Sequence, residues 1–184
     1  MPRRCQTYDI RGMNSSSYFH RVGAMPLQHA PLGAALAAAA RRWPARPAVV
    51  AREEQVTLTY EQLLEQADRL GGALRALGLS AGDRLGLWAP NSAAWVVAMF
   101  AAARAGLVSV AINPQYQKNE IEYCLKKVGA KAVLAPETYK GDDYYKILTE
   151  LVPEMTTCTS GPLKSSKLEE LKHVILLTDK DDLP

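Results

Sequence analysis

The chain has 184 residues, with 22 lysines and arginines against 19 aspartates and glutamates and a formal net charge of +3. That length builds one sizeable core and excludes two ordinary domains, and so small a charge, with its bases scattered, gives no basis for nucleic-acid binding. Cys5, Cys124 and Cys158 have neither zinc-site spacing nor the even number of a disulfide framework, so a reducing compartment fits best.

The first 47 residues carry seven arginines, no lysine and one acid, Asp9, a composition shared by mitochondrial transit peptides and by ordinary flexible N-termini. Residues 1–16 are therefore read as a flexible or targeting N-terminus. The alanine-rich stretch Pro31–Arg42 predicts a helix that stops at Trp43-Pro44, because the residue before a proline avoids the helical region. Ala48–Ala51 and Val56–Leu58 predict a hairpin. Thr59 followed by Gln62 forms a capping box, and Leu63, Ala67, Leu70, Leu74 and Leu77 recur at helical spacing up to Gly78, which suits a left-handed cap.

Leu85–Ala89 then predicts a short strand, with Pro90-Asn91-Ser92 supplying a turn and helix-capping side chains. Eleven consecutive apolar residues follow, Ala93 to Ala103. They predict a helix buried on most sides, too short for the roughly 20 apolar residues of a membrane span. Leu107–Ile112 predicts a second parallel strand that delivers Asn113-Pro114-Gln115-Tyr116 to the edge where open α/β sheets bind ligands. A helix over Asn119–Val128, with Cys124 on its apolar face as an inert thiol, a strand over Ala132–Ala135, a helix over Asp143–Leu151 and a strand over Val174–Leu177 continue the pattern. Pro153–Lys172, rich in Thr, Ser, Gly and Lys, reads as a long surface loop. Trp88 and Trp95 lie inside apolar runs and are expected in the core. The rhythm is that of βαβ units: a doubly wound, mainly parallel α/β sheet flanked by helices.

Ser17-Tyr18, Leu58-Thr59-Tyr60-Glu61-Gln62-Leu63, the block Gly82–Tyr116 and Glu122-Tyr123-Cys124-Leu125-Lys126-Lys127-Val128-Gly129 together resemble the N-terminal subdomain of the AMP-forming acyl-CoA synthetases, within the adenylate-forming superfamily. Leu125–Ala132, Asn113–Gln117 and Leu163–Ser165 point to its medium-chain fatty-acid ligases. The resemblance implies that residues 17–184 are part of an AMP-dependent synthetase domain. It also implies a complete enzyme that converts ATP, a fatty acid and CoA into acyl-CoA, AMP and pyrophosphate through an acyl adenylate, with Mg²⁺ on the triphosphate. It further suggests a mitochondrial location, with a cytoplasmic one as the alternative.

Such chemistry needs a glycine- and hydroxyl-rich phosphate cradle, a carboxylate for the metal and a fixed cation. The family's phosphate loop, adenine segment, ribose-binding Asp and catalytic Lys have no counterparts in these 184 residues. Thr159-Ser160-Gly161-Pro162-Leu163-Lys164 begins like that loop but lacks its second glycine, and Pro162 removes an N–H. The chain alone is accordingly expected to be inactive and to need no cofactor, with no catalytic or metal-binding residue assigned. By position in the resemblance, Asn113, Pro114, Gln115 and Lys140 are the candidates for a CoA-facing edge; a structural turn and a solvated lysine are the alternatives. Two other functions stay open: a non-catalytic short form that binds a full-length synthetase subunit, and an independent flavodoxin-like nucleotide or flavin binder.

Overall fold

The computed structural model describes residue 23, residues 27–158 and residues 161–178; the segment read above as a targeting or flexible N-terminus lies outside them. After helix α1 (Leu32–Arg42) come the hairpin strands β1 (Pro47–Ala51) and β2 (Val56–Thr59) and helix α2 (Tyr60–Ala76). The central sheet alternates β3 (Arg84–Trp88), α3 (Ala93–Ala105), β4 (Val108–Ile112), α4 (Lys118–Val128) and β5 (Ala130–Pro136). A short hairpin, β6 (Thr138–Tyr139) and β7 (Asp142–Asp143), helix α5 (Tyr144–Leu151) and strand β8 (His173–Leu177) follow.

The local signals act where the chain placed them. Thr59 Oγ1 accepts from Gln62 N while Gln62 Oε1 accepts from Thr59 N, completing the capping box. Ser92 Oγ accepts from Trp95 N at 3.0 Å and starts α3. Gly106 ends α3 and Gly129 ends α4, both in the left-handed region.

The sheet is parallel throughout, in the order β4-β3-β5-β8, so the chain reverses its direction of travel across the sheet between β3 and β5. Helices cover both faces. Leu85, Leu87, Ala132 and Leu134 face the core shared with α2 and α3, and Trp88, Val133 and Ala135 face the core shared with α4 and α5. Strand alternation thus divides one apolar run between two cores. Gly86, on the second face, makes room for the neighbouring layer: a Cβ there would lie 3.2 Å from Leu125 Cδ2 and 3.3 Å from Ile112 Cδ1.

Three expectations need correction. Pro153–Lys172 is not simply a surface loop, since it opens with a 3₁₀ turn at Pro153–Thr156 and buries Leu163, Leu168 and Leu171; three well-spaced leucines suffice to anchor a polar stretch to a core. Helix α3 is not buried on most sides. Ala93, Ala98, Ala101, Ala102 and Ala105 pack inward, while Ala94 is exposed and Trp95, Val96, Met99, Phe100 and Ala103 are only half-buried. Cys124 likewise is half-buried against the α4 core, not sealed within it.

Candidate functional site

In an open α/β sheet the ligand crevice lies beyond the C-terminal ends of the strands, at the point where strand order reverses. Here that point is between β3 and β5. The N-terminus of α3 opens onto it, as the place where such folds commonly seat a phosphate. In this chain the place is taken. The β1–β2 hairpin brings Glu54 against it, and Ala93 N donates to both carboxylate oxygens at 3.1 and 3.2 Å. The negative side chain satisfies a free helical N–H and complements the positive end of the helix dipole. Beside it lies an open cleft of about 480 Å³ lined by residues that include Arg52, Glu53, Asn91 and Ser92.

The four sequence candidates stand further along the same end of the sheet. Asn113, Pro114 and Gln115 form the turn that leaves β4, where Asn113 Oδ1 accepts from Gln115 N at 2.9 Å and Asn113 O accepts from Tyr116 N at 3.1 Å. The turn's N–H groups are therefore largely engaged within it. Lys140 and Gly141 join β6 to β7 with both residues at positive φ, 50° and 91°, the geometry of a two-residue hairpin turn. The Lys140 ammonium lies 5.3 Å from the centre of the Tyr139 ring, held outward as an exposed cation.

Residues that the sequence did not single out draw these two segments together. Tyr144, the first residue of α5, donates its hydroxyl proton to the Pro114 carbonyl oxygen, and Gln117 Nε2 donates to Asp142 Oδ2 at 3.2 Å. The Tyr144 ring stacks on Trp88 at 4.0 Å, with the planes 9° apart, and meets Tyr139 edge-on at 6.5 Å. Burial pushes the Tyr144 phenol up to about 12, helped by the neighbouring Asp142 carboxylate and the Tyr139 side chain. Trp88 is in the core as expected, whereas Trp95 is half-buried. The sequence signal for Tyr144 was slight: an aromatic following the helix-capping Asp143. Glu54 gave none, since an acid beside another acid in a polar turn reads as solvated.

Among the described residues no group of His, Cys, Asp and Glu converges to hold a metal. Among the described residues the edge offers a phosphate the exposed cation Lys140 and the exposed side chain of Gln115, and no carboxylate cluster for a triphosphate–metal complex.

Residues 36–182 match the AMP-binding enzyme family. The chain belongs to that family. Among curated relatives, the mitochondrial medium-chain acyl-CoA ligase ACSF2 of Bos taurus is 43% identical over 159 residues, which are 86% of this chain and 26% of the relative. The Danio rerio protein of the same name is 39% identical over 165 residues, 90% of this chain and 27% of its own. The chain spans about a quarter of the length of these relatives. Among solved structures, the long-chain-fatty-acid-CoA ligase FadD1 of Archaeoglobus fulgidus superposes with a TM-score of 0.70 at 18% identity, covering 90% of this chain and 31% of that one. The N-terminal domain of FACL13 from Mycobacterium tuberculosis gives 0.66 at 24% identity, over 80% and 34%. These superpositions show that the AMP-binding fold is shared: the four-stranded parallel sheet and its flanking helices are those of N-terminal subdomains in adenylate-forming ligases. No helix among the described residues is long and apolar enough to cross a membrane.

Proposed function

We propose that these residues are the N-terminal part of a medium-chain fatty acid–CoA ligase acting in mitochondria, with the cytoplasm as the alternative location. The observation that carries the reading is the 43% identity to a medium-chain acyl-CoA ligase across 86% of this chain. Residues 17–184 would form the start of its AMP-dependent synthetase domain, and the complete enzyme would use ATP, Mg²⁺, CoA and a fatty acid. Within it, Asn113, Pro114, Gln115 and Lys140 form part of the edge that meets CoA. Lys140 fits a phosphate by charge, and the Asn113 turn presents the exposed Gln115 at the same end of the sheet. The 184 residues alone would not turn over, because the nucleotide cradle that activation requires is not built from them.

The test uses the protein isolated at its native size with an antibody to residues 115–131. A mass several-fold that of 184 residues, with pyrophosphate release that depends on a medium-chain fatty acid, is the expected result. A native product of only 184 residues, or pyrophosphate release by the 184 residues expressed alone, overturns it.

A second reading has an observation of its own. β8 lies at the edge of the sheet, and His173 through Leu177, four of them apolar, are all only half-buried. Together with the half-buried Trp95, Met99 and Phe100, this apolar surface favours a short product that binds a full-length synthetase subunit without catalysis. Co-purification of a 184-residue product with the full-length ligase would support it. The flavodoxin-like reading is disfavoured by Glu54, whose carboxylate occupies the end of α3 that a flavin phosphate would use.

A further inference from the structure

Two loops at the C-terminal end of the sheet, separated by more than twenty residues in the sequence, converge on one side chain. The Tyr144 ring is almost wholly buried, at 1% exposure, and is fixed from below by the Trp88 stack at 4.0 Å. From that fixed position its hydroxyl reaches the Pro114 carbonyl in the turn after β4. Its backbone N–H closes the β6–β7 hairpin by donating to Glu137 O at 3.0 Å, and its ring meets Tyr139, over which Lys140 sits. The Asn113–Gln115 turn has its own internal bonds, yet nothing in those bonds sets where the turn stands relative to Lys140. Beyond the pairing of β4 with β3 that fixes where the turn begins, the hydroxyl is what links it to the β6–β7 side, with the weaker and more exposed Gln117–Asp142 contact beside it.

We propose that Tyr144 is a positioning residue for the second half-reaction: its hydroxyl holds the Asn113–Gln115 turn at the distance from Lys140 that CoA requires, while taking no part in adenylate formation. This rests on the reading that those two segments meet CoA. A misplacement of a binding loop by about 1 Å is enough to weaken a reaction that depends on orientation, and removing one hydroxyl from a packed ring can cause it without disturbing the core.

The test compares Tyr144→Phe with the unaltered protein at its native length. Phenylalanine keeps the ring and the stack, so Trp emission and the melting temperature serve as controls for folding. The expected result is faster amide exchange at Gln115 and Tyr116, by about tenfold or more, with β3 and α4 unchanged. The KM for CoA should rise roughly fivefold, as one hydrogen bond allows, with ATP–pyrophosphate exchange unaltered. Tyr144→Leu, which loses stack and hydroxyl together, is the reference for plain structural damage: there stability and both half-reactions fall together. If Tyr144→Phe leaves exchange at 115–116 unchanged, the hydroxyl does not hold the turn and the proposal fails. If exchange rises and Lys140→Ala raises the KM for CoA but Tyr144→Phe does not, positioning fails and the CoA edge stands. If neither variant moves that KM, the CoA edge itself falls, and this inference falls with it.

Discussion

At the N-terminal end of the parallel sheet charged side chains reach backbone carbonyls directly, whereas at the C-terminal end an aromatic stack does the joining and the charges stand outside it. Arg84 donates from Nε to Val128 O at 2.9 Å and from Nη2 to Gly129 O at 2.8 Å, tying β3 to the end of α4. Lys131 pairs with Asp83 at 2.8 Å and also reaches Gly78 O. Every one of these contacts ends on another part of the scaffold. At the opposite end Trp88 and Tyr144 bind the layers, and Lys140, Gln115 and Asn113 present polar atoms outward. The difference separates holding from presenting. Where a charge is spent on a helix carbonyl it is structure; where rings join the layers, Lys140 stays exposed, and Glu54 at that end is spent on a helix terminus.

The largest effect is expected at Trp88. Replacing it with alanine removes a fully buried ring and its stacking partner, and is expected to cost about 3–5 kcal/mol, measured by urea denaturation. A similar loss from any polar change at the N-terminal end would show the two ends to be held alike. Arg84→Met keeps most of the side-chain stem but deletes the carbonyl contacts of a half-buried guanidinium, and should cost about 2 kcal/mol while leaving the C-terminal loops in place.

The pH dependence sharpens the contrast. Tyr144 is pushed up to about 12 in the folded protein against about 10 when unfolded. The unfolded state therefore loses its proton first, and the stability from keeping this phenol neutral is present below pH 10 and declines between about 10 and 12. At the other end the Lys131 hydrogen bond, followed by that from Ser80 N, holds the Asp83 carboxyl below its ordinary 3.8. Its contribution is present above that value and declines as acid protonates it in the fold. Denaturation midpoints taken across both windows should fall at both extremes, and a Tyr144→Phe protein should lose much of the alkaline decline while keeping the acid one. The smallest effect is expected at Lys140. Alanine there should change stability by less than about 0.5 kcal/mol, and a greater loss would mean that its place over Tyr139 is structural.

Much of this organisation was legible from sequence because it is local. The Thr59–Gln62 box, the Ser92 cap and the left-handed Gly78 after α2 each act within a few residues, and strand spacing gave the βαβ rhythm. Leu163, Leu168 and Leu171 escaped notice because no periodicity marks three leucines in a polar stretch. The site was legible only as a loop. Tyr144 and Pro114 lie 30 residues apart, and Glu54 and Ala93 lie 39 apart; such pairs arise from the order of strands in the sheet, which spacing along the chain does not fix.

Gly86 carries a consequence for how this sequence can change over time. Its neighbours are the branched ends of Leu125 and Ile112, with Val133 Cγ2 at 3.4 Å behind them. Even a methyl must move them by a few tenths of an ångström, and anything bulkier would part α4 from the sheet. A survey of all nineteen replacements should therefore find this position among the least tolerant in the chain, although a glycine has no reactive side chain. To an observer ranking residues by intolerance alone it would pass for an active-site residue, when what it guards is only the distance between two layers.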